Sequence, residues 1–183
     1  MSLHRQPELK EAVLALSQKE KDKLLVRLIG KDKMLLKQLH YELLEDQADL
    51  EERIANLKEA LTHLYQWRGT SIKNLPLYTN YKELNSLLRS GSGMISEHER
   101  ITKDRYSVVE CRLMLIQEAF QRYPNLFAPS AIATAIKLHK YTKGRVKNIV
   151  TLYEKLHEDL QFDLRDEFED VLDFAAQHAL DQP

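Results

Sequence analysis

The apolar residues from Leu36 to Leu64 recur at alternating spacings of four and three, and only His40 and Gln47 interrupt them with polar side chains. Residues at these spacings lie side by side on one face of an α-helix. The pattern therefore predicts one long, coiled-coil-like helix over about residues 32–68. Because one helix cannot bury its own stripe, other helices or a second copy of the chain must cover it. The two polar positions are more typical of residues that set coiled-coil register than of ligands for a bound group.

A second apolar stripe is the expected partner of this long helix. Its members also alternate by three and four and are Tyr106, Val109, Leu113, Ile116, Phe120 and Tyr123. Similar spacings predict further helices over about 7–16, 17–29, 130–141 and 145–160, with a last one around 164–175. No segment alternates apolar and polar residues as a half-buried strand does. The chain is therefore predicted to be all-α, as a multi-helix bundle or an irregular helical array built around the long helix.

Short polar residues indicate where several helices begin. Ser17 and Ser96 are each followed three residues later by a glutamate. This is the spacing of a capping box, in which the serine hydroxyl and the glutamate carboxylate each accept a backbone N–H. Both serines are therefore predicted to be helix N-caps. Asp32 is predicted to cap the long helix, after Gly30 ends or bends the helix before it.

Glycines indicate where helices end. Gly69 is expected to end the long helix, and Gly144 to form a turn between two later helices. Residues 90–93 read Ser-Gly-Ser-Gly, a composition that predicts a flexible linker over residues 89–95. The whole chain, residues 1–183, is otherwise expected to form a single all-helical domain, because this length can bury a sufficient core without disulfides or metals.

The net charge, the single cysteine and the lack of long apolar runs make several classes of protein less suitable for this chain. Twenty-seven basic and 28 acidic side chains give a net charge of −1, which argues against a protein that coats nucleic acid by bulk charge. Cys111 is the only cysteine, so an intrachain disulfide is excluded and a reducing compartment is favoured. Residues 1–10 lack the apolar core of a secretory signal, and no apolar run is long enough to span a membrane. The expected location is cytoplasmic, without membrane contact.

No complete catalytic or metal-binding set is apparent. His157 and Glu158 begin like a zinc-protease motif, but Gln161 stands where the second histidine is required. Glu154 and His157 have the spacing of one half of a di-iron site, and no second such pair occurs. The sequence therefore predicts no catalytic residue, no metal and no cofactor. An enzyme whose site is assembled from dispersed side chains would leave no pattern of this kind.

The strongest local signal is a charge asymmetry. Residues 137–147 carry five basic side chains and no acidic one, while residues 158–173 carry eight acidic side chains against Arg165 alone. With a turn at Gly144, the basic segment has a helix-turn-helix form, which places basic residues at the start of a helix that meets nucleic acid. The residues expected to contact nucleic acid or an acidic partner are Lys137, Lys140, Lys143, Arg145, Lys147 and Asn148. Alternatively, these basic residues form ion pairs with the acidic residues of 158–173, either within the fold or across a subunit contact.

Three functions are compatible with these patterns. The leading one is a non-enzymatic helical protein–protein interaction or scaffold protein, acting as a homodimer or as an adaptor for another protein. It follows from the surplus of apolar helical surface and the lack of a catalytic set. The second is a nucleic-acid-binding regulator that uses residues 137–148, and the third is an enzyme with a dispersed site.

Overall fold

The computed structural model describes residues 5–180. Over that range it contains nine α-helices and no β-strand, so the predicted all-α fold is confirmed. The helices are α1 (Pro7–Leu14), α2 (Gln18–Ile29), α3 (Lys33–Leu44), α4 (Gln47–Trp67), α5 (Tyr78–Thr102), α6 (Arg105–Arg122), α7 (Ala133–Tyr153), α8 (Glu158–Asp163) and α9 (Arg165–Gln177). None of these helices is long and apolar enough to cross a membrane.

The chain divides after Glu45 into two compact units. The N-terminal unit holds α1 to α3, and the C-terminal unit holds α4 to α9. That residues 1–183 act as a single domain stays a prediction.

Two predicted caps order the helices of the N-terminal unit. The backbone N–H of Ser17 donates to Glu20 Oε2 at 3.0 Å, and the Ser17 hydroxyl donates to the same oxygen at 2.6 Å. These two bonds lower the pKa of Glu20. Asp32 Oδ1 accepts the backbone N–H groups of Met34 and Leu35 at 2.9 and 3.1 Å. The structure therefore confirms Ser17 as the cap of α2 and Asp32 as the cap of α3.

The long helix predicted over residues 32–68 is interrupted, and α3 and α4 replace it. Asp46 has an extended backbone, with φ −116° and ψ −168°. Its side chain accepts the N–H groups of Ala48 at 2.8 Å and Asp49 at 3.2 Å, and Asp49 Oδ2 accepts the Asp46 N–H at 2.9 Å. An N-cap of this kind satisfies the first N–H groups of a new helix, so the chain begins α4 afresh instead of continuing α3.

The predicted apolar seam of that segment is buried in its second part and open in its first. Leu61, on α4, is 1% exposed, and Leu57 and Leu64 are 8% exposed. On α3, by contrast, Leu36 is 53% exposed and Leu43 is 72% exposed. The spacing thus identifies a helical face along both helices, and only the α4 part of it belongs to the core.

The core of the C-terminal unit is built mainly from α5, α6 and α7, with α4 and α9 packed around them. The second predicted stripe lies on α6 and in the Tyr123 position that follows it, and it faces the core. It was expected to pack against the long helix, but α6 packs mainly against α5 and α9 and less against α4. Phe120 on this stripe stacks on Phe174 of α9 with ring centroids 4.1 Å apart. The Tyr65 hydroxyl of α4 donates to the Leu115 carbonyl of α6 at 2.5 Å. Aromatic stacking therefore joins α9 to α6, and a buried hydrogen bond joins α4 to α6.

The flexible linker predicted over residues 89–95 is wrong, because these residues lie in the middle of α5. Ser96 lies in the same helix, so its predicted role as an N-cap is wrong too. A Cβ atom built on Gly91 would lie 2.6 Å from Leu115 Cδ1 and 3.3 Å from Leu61 Cδ2. This glycine therefore permits close packing of α5 against its neighbours and does not make the chain flexible.

The turn predicted at Gly144 is also wrong, since α7 runs through it without interruption. The two helices expected over 130–141 and 145–160 are largely this one helix, and the helix-turn-helix form is absent. A glycine inside a helix costs only about 1 kcal/mol relative to alanine. The buried face of α7 continues on both sides of Gly144, with Leu138 before it and Ile149 after it, and its burial offsets that cost.

Candidate interaction surfaces

Helix α7 distributes the predicted basic residues over more than one face. Lys140 and Lys147 are exposed and Lys143 is half-buried, and their spacing of three and four places them along one side of the helix. Lys137 is exposed and lies three residues before Lys140, at one end of this row. Arg145 and Asn148 are partly buried and share the side of Leu138, seven residues before Arg145. The six residues therefore do not form one continuous contact surface.

Arg145 borders a small cavity between α5, α6 and α7. The cavity has a volume of about 10 Å³ and is lined by Ser92, Arg112, Leu115, Ile116, Arg145 and Ile149. Such a volume admits roughly one water-sized group. Arg112 is 7% exposed and donates through Nη2 to Glu99 Oε2 at 2.8 Å. The Nε atoms of Arg112 and Arg145 are both buried and have no hydrogen-bond partner.

Arg145 also belongs to a stack of cationic and aromatic groups at the surface of α5 and α7. The guanidinium carbon of Arg89 lies 4.5 Å from the centroid of the Tyr141 ring, and that of Arg145 lies 5.2 Å from the same centroid. Both distances fall within the range of cation–π attraction. In the part of the chain that the structure describes, neither arginine forms an ion pair with a carboxylate.

The acidic residues of 158–173 lie on α8 and α9, and two of them contact residues outside the basic segment. Arg165 pairs with Glu169 at 2.8 Å, and Gln117 of α6 donates to Asp170 at 3.2 Å. No ion pair joins this run to residues 137–147 within the described residues 5–180. The pairing of basic and acidic segments expected within the fold is therefore not observed there, and pairing across a subunit contact stays a prediction.

The N-terminal unit presents the largest concentration of exposed apolar side chains. Among residues 5–45 none is buried. The large apolar side chains that are exposed there are Leu9, Leu14, Leu25, Val26, Leu28, Leu36, Leu43 and Leu44. An open groove of about 300 Å³ in this unit has Leu16 and Leu24 with the charged residues Glu20, Lys23 and Arg27. Apolar surface with a charged border is typical of a protein-contact surface.

Sequence reasoning missed a buried polar pair at the junction of α5 and α6. His98 Nε2 lies 2.9 Å from Ser107 Oγ, and Asp104 Oδ2 accepts the Ser107 N–H at 3.1 Å. Burial lowers the pKa of His98, while the charge of Asp104 acts in the opposite direction. Ser107 has no exposed surface, so its hydroxyl is closed to substrate and the pair joins two helices. Only the folded connection brings these residues together, and their spacing carries no motif.

Cys111 occupies a fully buried position in α6. Burial, with a smaller contribution from the nearby Glu110 carboxylate, raises the pKa of this thiol to about 12. A thiol with such a pKa is not a nucleophile at neutral pH.

No group of three or more metal-ligating side chains comes together among residues 5–180. Comparison with protein-family models, with curated proteins and with solved structures finds no match.

Proposed function

We propose that this protein is a helix-mediated association module whose N-terminal unit contacts a second copy of the chain. One observation carries the proposal: the N-terminal unit exposes eight large apolar side chains and buries none of its residues between positions 5 and 45. A reducing compartment such as the cytoplasm suits this role, because Cys111 is a buried free thiol.

The energetics of short helices support this proposal. Helices α1, α2 and α3 have 8, 12 and 12 residues. Isolated helices shorter than about 12–15 residues are marginal in water, and most helical stability in proteins comes from covering an apolar face. Removing apolar surface from water contributes a favourable free energy of about 25 cal/mol per Å². A partner that covers these leucines therefore stabilises the unit itself as well as the complex.

The charge balance makes a second copy a suitable partner. With 27 basic and 28 acidic side chains, two copies do not repel each other by net charge. The groove beside α2 also offers both signs, since Glu20 lies near Lys23 and Arg27. An identical chain can meet such a border with opposite charges.

The test is the mass of the protein in solution, measured by light scattering after gel filtration over a range of concentrations. We expect a mass of twice the 21.4 kDa chain. Val26→Glu, which places a charge on a side chain 71% exposed, should shift the mass toward that of the monomer. Phe162→Glu is the matched control, because Phe162 is 75% exposed and lies in the C-terminal unit. A wild-type monomer at every concentration, or equal effects of both variants, would contradict the proposal.

Nucleic-acid binding is the second candidate, and the row formed by Lys140, Lys143 and Lys147 favours it. These lysines lie on one side of α7, although the expected helix-turn-helix is absent. Each phosphate contact contributes about 0.9 to the slope of log affinity against log salt for duplex DNA. Lys143→Ala should therefore reduce that slope by about one in a salt-titrated binding assay. Undetectable binding of duplex DNA and of single-stranded RNA at low salt would remove this candidate.

A further inference from the structure

We propose that α7 of one copy of the chain packs antiparallel on α9 of a second copy, through ion pairs between a row of lysines and a row of aspartates. The lysines are Lys140, Lys143 and Lys147, and the aspartates are Asp166, Asp170 and Asp173. This contact lies in the C-terminal unit, so it does not rest on the N-terminal contact proposed above.

Neither row of charges is neutralised inside its own copy. Five of the six side chains are exposed, and Lys143 is half-buried. Among the described residues 5–180, none of the six takes part in an ion pair, and Asp170 accepts one hydrogen bond from the neutral Gln117. The chain as a whole has a net charge of only −1, because its basic and acidic segments balance each other. A second copy therefore supplies the complement of both rows.

The spacings of the two rows match when the helices run in opposite directions. Along α7 the lysines follow each other at intervals of three and four residues, and along α9, read backwards from Asp173, the aspartates do the same. At 1.5 Å per residue each row is about 10.5 Å long. In a parallel arrangement the middle pair would be out of step by one residue. The antiparallel pairs are Lys140 with Asp173, Lys143 with Asp170, and Lys147 with Asp166.

A groove between α6 and α9 accommodates the apolar parts of the incoming helix. It has a volume of about 450 Å³, and its lining includes the exposed Asp170 and Asp173, the buried Phe120 and the half-buried Phe174. A charged edge above an apolar floor suits lysine, whose long stem is apolar and whose head is charged. Ile136 lies four residues before the first lysine, on the same side of α7, and is 55% exposed. The same face of α7 therefore brings an apolar side chain as well.

Sedimentation equilibrium of the full chain measures this contact at about 0.05 M and about 0.5 M sodium chloride, because salt screens exposed charges. The measurement uses the Val26→Glu variant, in which the N-terminal contact does not contribute. We expect self-association in this variant to weaken roughly tenfold at the higher salt concentration. The comparison of Val26→Glu with the wild type decides the N-terminal contact, and the salt response within Val26→Glu decides this one.

Charge reversal tests the register in the same Val26→Glu background. Lys147→Glu should weaken self-association roughly tenfold, because it replaces an attraction with a repulsion. Adding Asp166→Lys to Lys147→Glu should restore it, because the reversed pair attracts again. Adding Asp173→Lys instead is the matched control, since it gives the same net charge but reverses an aspartate two turns away on α9. Circular dichroism spectra check that each variant folds.

Three results would overturn the proposal: a Val26→Glu monomer at every concentration, an association of this variant that does not respond to salt, or equal association of the two charge-reversed pairs. Unchanged self-association of Lys147→Glu, together with salt-sensitive binding of duplex DNA by the wild type, would also overturn it. That last result would assign the lysine row to nucleic acid.

Discussion

Two glycines of α5 test how the centre of the fold is packed, because they are two residues apart and have opposite surroundings. Gly91 is buried against Leu115 and Leu61, whereas a Cβ atom on Gly93 would meet no atom within 4 Å. Alanine at either position raises helix propensity by about 1 kcal/mol. At Gly91 the added methyl group also has to displace Leu115 Cδ1, which would lie 2.6 Å away.

The magnitude follows from the difference between the two variants. The propensity gain is common to Gly91→Ala and Gly93→Ala and cancels, so the difference reports the cost of overpacking, typically about 1–3 kcal/mol. Gly93→Ala should be more stable than the wild type by up to about 1 kcal/mol. Gly91→Ala should range from unchanged to about 2 kcal/mol less stable, because overpacking opposes the same gain.

Urea unfolding followed by circular dichroism measures both free energies, and unchanged slopes would show that the unfolded states are comparable. In a Leu115→Ala background the clashing methyl group is gone, so Gly91→Ala should lose most of its penalty. Equal stabilisation by both alanines would refute the close approach at Gly91. Destabilisation by Gly93→Ala would refute the helix there and restore a flexible linker at residues 89–95.

Three further predictions concern a cap, a glycine and a buried histidine. Ser17→Ala should destabilise α2 by about 1 kcal/mol and Ser17→Gly by only a few tenths, as measured by urea unfolding. Gly144→Ala should stabilise the chain by up to about 1 kcal/mol in the same assay, because α7 is continuous there; a loss of stability would support a turn. The folded-state pKa of His98 lies below its ordinary value of 6.5, so its contribution is present above pH 6.5 and is lost as pH falls below it. The unfolding free energy of the wild type should therefore fall more steeply between pH 7 and 5 than that of His98→Gln, and equal slopes would refute this.

The caps at Ser17 and Asp32 and the periodic stripes were predictable because each depends on short-range chemistry, whereas Ser96 has the same spacing as Ser17 and lies inside α5. Ser17 and Asp32 act through hydrogen bonds that span two or three residues, and the sequence shows all the atoms involved. Asp46 uses the same chemistry with Asp49 as its partner. This box contains aspartate where glutamate or glutamine is usual, and the spacing of the apolar stripe continues across it, so the sequence analysis did not predict a helix start at Asp46.

The glycines were not predictable in the same way, because their role depends on what lies opposite them. Gly91 faces Leu115, which is 24 positions away in sequence, while Gly93 and Gly144 face open space. Composition cannot distinguish these cases, and a cost of about 1 kcal/mol per helical glycine is small enough for packing to offset. The position of Arg145 was not predictable for the same reason, because it depends on how α7 runs through Gly144. Once α7 is continuous, the spacing of seven between Leu138 and Arg145 places the arginine toward the buried side, but the predicted turn at Gly144 concealed that relation.

The apolar seam continues across Asp46, but it is buried on α4 and exposed on α3. Substitutions in its two parts therefore distinguish stability of the single chain from association between chains. Leu61 is 1% exposed in the core, so Leu61→Ala should cost about 2–5 kcal/mol at any protein concentration. Leu36 is 53% exposed, so Leu36→Ala removes little packing within one chain. If a second copy covers this residue, the variant should lower the melting temperature by an amount that depends on protein concentration, since association stabilises by mass action. Melting temperatures of both variants across a dilution series decide the matter. A loss for Leu36→Ala that is independent of concentration would place this leucine in a contact within the chain and would remove it from the association surface.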